Sequence, residues 1–160
     1  MKRIFLIILG YFGVISIMVG IFCFSAQPAE ESSAVSGGIV KQIISSFIDT
    51  ENLTVEAKES LIDRLQFVVR KTAHYSVYAG LGFFAYMALK NTFEKRYTFV
   101  PAFAWGVLYS VSDEIHQYFV PGRSGEIRDV FLDSLGVATG VLALMLIYNL
   151  LTIKNKRNIM

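Results

Sequence analysis

Long uncharged runs alternate along the chain with short, densely polar stretches. Ile4 to Phe24 (IFLIILGYFGVISIMVGIFCF) carries no charge and exceeds the roughly 20 residues that a helix needs to cross a bilayer core. A second apolar run, 72–89, is entered through Arg70-Lys71 and closed by Lys90. The third and fourth runs, 97–119 and 130–151, each contain acids. Clipped at those acids they would be only about 15 to 17 residues long, too short for a comfortable crossing, so the polar motifs are expected to form helix ends rather than separate loops. The pattern predicts an all-α, polytopic membrane protein with four transmembrane helices in one domain spanning 1–160. The basic start Met1-Lys2-Arg3 also suits a signal peptide. The run behind it is longer than the usual h-region of about 7 to 15 residues, which favours an uncleaved anchor.

Between spans one and two lies an outer segment with its own periodicity. Val40, Ile43, Ile44 and Phe47 recur at helical spacing, as do Leu61, Leu65, Val68 and Val69 behind a cap at Thr54. An amphipathic helical segment over 38–71 follows, lying on the membrane or covering the ends of the spans. Glu30-Glu31-Ser32-Ser33 and Ser36-Gly37-Gly38 read as connectors.

Charge orients the spans, because flanking Lys and Arg are retained in the cytoplasm. With the N-terminus inside, the inner segments hold eight cations (Lys2, Arg3, Lys90, Lys95, Arg96, Lys154, Lys156, Arg157) against Glu94 alone, and the outer ones seven cations against twelve acids. The expected location is the plasma membrane, multi-pass, with both termini cytoplasmic. A 54% hydrophobic composition is too apolar for an ordinary soluble domain, and a net charge of +2 is too small to argue for nucleic acid. The single cysteine, Cys23, permits no disulfide within the chain and reads as a small buried hydrophobe.

That topology brings the polar motifs to one side: Ser25-Ala26-Gln27 at the end of span one, Arg70, Lys71 and His74 at the start of span two, Ser112 to Gln117 at the end of span three, and Asp129 and Asp133 at the start of span four. Residues three and four apart share a helix face, which aligns Tyr109, Ser112, Asp113, His116 and Gln117, and likewise Arg70, His74 and Tyr78. Glu114 points elsewhere, toward water or the neighbouring loop. Pro121-Gly122 signals a turn that presents Arg123 at the mouth of the cluster. Gly136-x-x-x-Gly140 offers a groove for a neighbouring backbone. An acid as deep as Asp133 needs a partner; Arg70, Arg123, Arg128, His74 and His116 are the candidates. The D-x-x-H spacing matches no specific zinc signature, and no metal or cofactor is assigned.

The ordered set FSAQP, RKxxHYxxY and DExHQxFxPGRxGxxxDxxxDxxG, running from span one to span four, resembles the VanZ-like membrane proteins. The resemblance implies a small multi-span protein of the bacterial envelope, in a family whose founding member is associated with low-level teicoplanin resistance. It carries the polar signature onto Ser25, Gln27, Arg70, Lys71, His74, Tyr78, Asp113, Glu114, His116, Gln117, Phe119, Pro121, Gly122, Arg123, Asp129 and Gly136. The chain has Asp133 where that family often has Asn. Gln27, Arg70, Lys71, His74, Asp113, His116, Gln117, Arg123 and Asp129 are expected to bind a ligand. Membrane lipids, a lipid-linked cell-wall precursor or a glycopeptide are the expected partners. A membrane-embedded hydrolase or transferase using His74, Asp113, His116, Asp129 and Asp133 is the alternative, because imidazole and carboxylate supply acid and base or, less favoured, a divalent metal site.

Overall fold

The computed structural model describes residues 1–48, 53–93 and 98–157, with the backbone alone at 155 and 156. Among these the chain is all helical, with no strand: α1 (Lys2–Ser25), α2 (Ala29–Phe47), α3 (Val55–Phe93), α4 (Phe99–Tyr118) and α5 (Ile127–Arg157). Two of them, over Lys2–Ser25 and Ile127–Lys154, are long and apolar enough to cross a membrane. Glu94, Lys95, Arg96 and Tyr97, which enter the expected charge balance and the start of span three, lie outside the described residues, as does the Lys156 side chain.

α3 organises the molecule: α1, α2, α4 and α5 all pack on it, and α4 also packs on α5. Small residues set the close crossings, as van der Waals contact is the main attraction between helices in lipid. A Cβ added at Gly140 would collide with Ala79 O of α3, and one at Gly136 would lie 2.5 Å from Tyr75 O, so the expected glycine groove of α5 receives the α3 backbone. Gly82 of α3 returns the fit against Val137 O, and Gly10 of α1 abuts the Ala88 backbone. Tyr78, Leu81, Ala85, Ala102, Val137 and Val141 fill the core between these contacts. The opposite faces of α1 (Phe5, Ile8, Phe12, Ile15), α4 (Trp105, Leu108, Ile115) and α5 (Phe131, Leu135, Leu142) are exposed and apolar, far beyond the patches a water-soluble monomer displays.

Helix direction follows from the bonds at each end. Arg3 donates to the carbonyls of Asn91 and Thr92, and Asn91 Nδ2 donates to Tyr148 Oη at 2.7 Å. The start of α1, the end of α3 and the last third of α5 therefore share one end of the bundle, and the polar motifs lie at the other.

Several expectations need correction. α2 begins at Ala29, so the two stretches read as connectors, Glu30 to Ser33 and Ser36 to Gly38, are helical. Along the expected amphipathic stripe Val40 is fully buried and Phe47 is 85% exposed. Thr54 does cap a helix, its Oγ1 accepting from Ala57 N at 3.3 Å, but that helix runs on without interruption into the second apolar run. Arg70, Lys71 and His74 thus lie in mid-helix: α3 is 39 residues, roughly 58 Å, and nothing between Val55 and Phe93 breaks it. Cys23 is exposed on the surface of α1 rather than buried.

Candidate functional site

At the polar end, α1, α2, α3 and the α4–α5 connection enclose a cavity of about 570 Å³. Gln27, Arg70, Lys71, His74, Gln117, Arg123 and Asp129, seven of the nine residues expected to bind a ligand, line it. Ile21, Phe24, Val35, Ile39, Phe67 and Val77 give it apolar walls, and Ser25, Ser32, Ser36, Tyr78, Ser124 and Glu126 add further polar groups. Helical periodicity places one face of α2 (Ala29, Ser32, Ser36, Ile39) as a roof.

The mouth is built by a turn. Arg123 N donates to Val120 O at 3.1 Å, with Pro121 between them and Gly122 at φ 74°, the residue pattern of a type II turn. Ala29 N, at the start of α2, donates to Pro121 O. The turn sends the Arg123 side chain back across the bundle, where Nε donates to Gln27 O at 2.9 Å, Nη2 to Phe24 O at 3.0 Å and Nη1 to Gln117 Oε1 at 3.1 Å. Arg123 thereby binds the last turn of α1 and Gln27 just beyond it, Phe24 O also accepting from Gln27 N at 3.3 Å. Burial lowers the pKa of its guanidinium, with Asp113 opposing the shift, and the group keeps its charge.

The other cations differ in how far they are committed. Lys71 forms an ion pair with Asp129, tying α3 to the first turn of α5, and lies 5.3 Å from the Phe67 ring centroid. Arg70 is exposed on the cavity wall and has no hydrogen bond or ion pair among the described residues. Arg128 is exposed as well and does not line the cavity.

Below the cavity lies a buried polar layer. Asp113 is 4% exposed and accepts on Oδ2 from Tyr78 Oη at 3.2 Å and Gln117 Nε2 at 3.0 Å. Asp133 is 0% exposed, and Ser110 Oγ donates to its Oδ2 at 3.3 Å. Of the five partners expected for Asp133, His74 is the one that reaches it, Nδ1 standing 3.8 Å from Oδ1. Asp113 and Asp133 back the cavity without lining it.

One placement differs from the sequence reading. His116 stacks on Phe22 of α1, with centroids 4.6 Å apart and planes at 6°, and is not part of the cavity wall. The Asp113–Gln117 step stays on the inner face, whereas the three-residue step to His116 rotates it onto α1. Glu114 takes the second of its two expected orientations, toward the neighbouring loop, and is buried there. Its Oε2 accepts from Glu126 N at 2.8 Å and its Oε1 from Gln117 Nε2 at 3.3 Å, clamping the loop ahead of α5. Ser110 was missed altogether, although Gly106, Ser110, Asp113 and Gln117 form a stripe of helical period that marks it.

A polar cup walled by FSAQ, RKxxH, the DExHQ helix end and the PGR turn agrees with the match of residues 10–148 to the VanZ/LLP1 family model. The chain belongs to the VanZ/LLP1 family. Membership and the two bilayer-length apolar helices together mark this VanZ/LLP1 chain as a membrane protein. Neither the curated proteins nor the solved structures yield a match to it.

Proposed function

We propose that this VanZ/LLP1 protein crosses the plasma membrane four times, with both termini cytoplasmic, and uses its outer cavity to hold the anionic head group of a membrane lipid or lipid-linked cell-wall precursor. One observation carries the reading: Arg70, a guanidinium with no hydrogen bond or ion pair among the described residues, faces a cavity that also presents the apolar side chains of Phe24, Val35, Ile39 and Phe67. A phosphate or carboxylate suits the bidentate fork of such a side chain, and an acyl or prenyl chain suits Phe24, Val35, Ile39 and Phe67. The volume falls within the roughly 300 to 1,000 Å³ of small-molecule sites, enough for a head group and the first part of its chain. Sequestering such a head group would connect the site to teicoplanin tolerance, since glycopeptides act on cell-wall precursors at the same membrane face.

The test compares retention of phosphatidylglycerol and phosphatidylcholine by detergent-purified protein, read by native mass spectrometry. The wild type should prefer the anionic lipid, and Arg70→Ala should lose about tenfold of that preference, the equivalent of one partly screened charge-assisted contact. Equal retention of the two lipids by the wild type, or an unchanged preference in Arg70→Ala, would refute the reading.

A second reading, a hydrolase or transferase acting on the same bound group, draws support from His74, which lines the cavity with the Asp133 carboxylate behind it. Incubation with lipid-linked precursor and mass analysis of the products tests it. Product formation abolished by His74→Ala supports turnover, and unchanged substrate in the wild type refutes it.

A further inference from the structure

The buried layer beneath the cavity brings three donors from three helices together: His74 of α3, Asp113 of α4 and Asp133 of α5, each offering one ligand atom, all within 4.8 Å of one another. The His74 Nδ1 to Asp133 Oδ1 separation of 3.8 Å is too long for a hydrogen bond. It does suit two ligands of one ion: donors about 2.0 to 2.2 Å from a metal stand roughly 3.3 to 4.4 Å apart, depending on the angle between them.

The pattern of satisfied and unsatisfied atoms points the same way. Asp133 Oδ1 is buried with no hydrogen-bond partner, in a side chain that is 0% exposed. Both hydrogen bonds of Asp113 fall on Oδ2, which leaves its Oδ1 uncommitted. Ser110, Tyr78 and Gln117 hold the non-coordinating oxygens, the outer support that orients metal-binding carboxylates. Among the described residues neither Lys71, paired with Asp129, nor Arg123, held by carbonyls and Gln117, pairs with Asp133, and the one group that faces its Oδ1 is the His74 imidazole. An isolated carboxylate at this depth is costly, and a divalent cation would remove that cost.

We infer that His74, Asp113 and Asp133 form a site for one divalent transition-metal ion, Zn²⁺ or Mn²⁺, loaded through the cavity that His74 lines. One imidazole with two carboxylates and no thiolate is a donor set of intermediate hardness, which suits these ions better than copper(I) or Ca²⁺. Binding draws the three donors together by about half an ångström, from the spread present here to coordination distance.

The experiment strips detergent-purified, full-length protein with a chelator and equilibrates it with Zn²⁺ or Mn²⁺ alone. Bound metal is counted after gel filtration, and the visible spectrum of a Co²⁺-loaded sample reports coordination directly. The wild type should hold about one equivalent. Asp133→Asn, which keeps the volume and an acceptor for Ser110, and His74→Gln, at the cavity edge, should each weaken binding about tenfold or more and abolish the Co²⁺ bands. Arg70→Ala should bind metal as the wild type does, so that loss of the lipid preference and loss of the metal site are read separately. If Asp133→Asn fails to insert, His74→Gln carries the comparison. Negligible metal on the wild type, or wild-type loading in an inserted His74→Gln, overturns the inference.

Discussion

Replacing Arg123 with alanine should loosen the polar end, because its guanidinium ties α1, the α1–α2 connection and α4 together, leaving the Ala29–Pro121 bond and the His116–Phe22 stack as the other links described there. Three hydrogen bonds vanish: to Gln27 O, to Gln117 Oε1 and to Phe24 O. Bonds from a charged donor contribute about 1.5 to 3 kcal/mol each when buried and correspondingly less when water competes. Two of these are partly buried and one is exposed, so a sum of about 3 kcal/mol is reasonable once solvent is allowed for. For a chain of this size that corresponds to a fall in Tm of roughly 6 to 12 °C. Thermal unfolding in detergent, followed by tryptophan fluorescence or aggregation, measures it with no added lipid. Arg123→Lys keeps the charge but loses the planar fork, and should recover less than half of the loss. A Tm for Arg123→Ala within about 2 °C of the wild type, less than the smallest change expected for 1 kcal/mol, would refute the stapling role.

Two further outcomes follow from packing and placement. Gly140→Ala forces a Cβ into Ala79 O and to 2.8 Å from Phe83 N, and should cost at least about 1 to 3 kcal/mol in detergent unfolding, whereas Gly20→Ala, with open space around it, should be neutral or gain up to about 1 kcal/mol of helix propensity; equal stabilities would refute the close α3–α5 crossing. His116→Ala should leave the phosphatidylglycerol preference unchanged while lowering Tm through the lost Phe22 stack, and loss of the preference would show that His116 reaches the ligand after all.

What the sequence made legible was whatever depends on one helix at a time. The uncharged run of α1, the small-residue groove Gly136-x-x-x-Gly140, the Thr54 cap and the Pro121-Gly122 turn are local signals, and each appears where its residues stand. The extent of α2 was hidden because Ser36-Gly37-Gly38 weakens helix propensity. Packing overrides that weakness: Ser36 and Val40 are buried, and Gly37 lies close against the Gln66 side chain. The continuity of α3 was hidden by Arg70-Lys71, which reads as a membrane boundary and therefore as a helix start, although a boundary in solvent need not interrupt a backbone. Site membership was legible to the resolution of a helix face and no finer. His116 and Gln117 are adjacent, yet one stacks on α1 and the other enters the cavity. The three donors of the buried layer come from three separate helices; the sequence brings them to one polar end with His116 and Asp129, but no spacing along the chain singles the three out.

Because α3 is a single helix from Val55 to Phe93, the part that projects past the polar end and the part that lines the core behave as one lever. It has no proline and no turn at Arg70 where it could fold without breaking several backbone hydrogen bonds at once. Tilting its outer arm must therefore displace His74 relative to Asp133. A load applied beyond the polar end is delivered, through a stiff rod, to Asp133, a carboxyl group with no exposure at all.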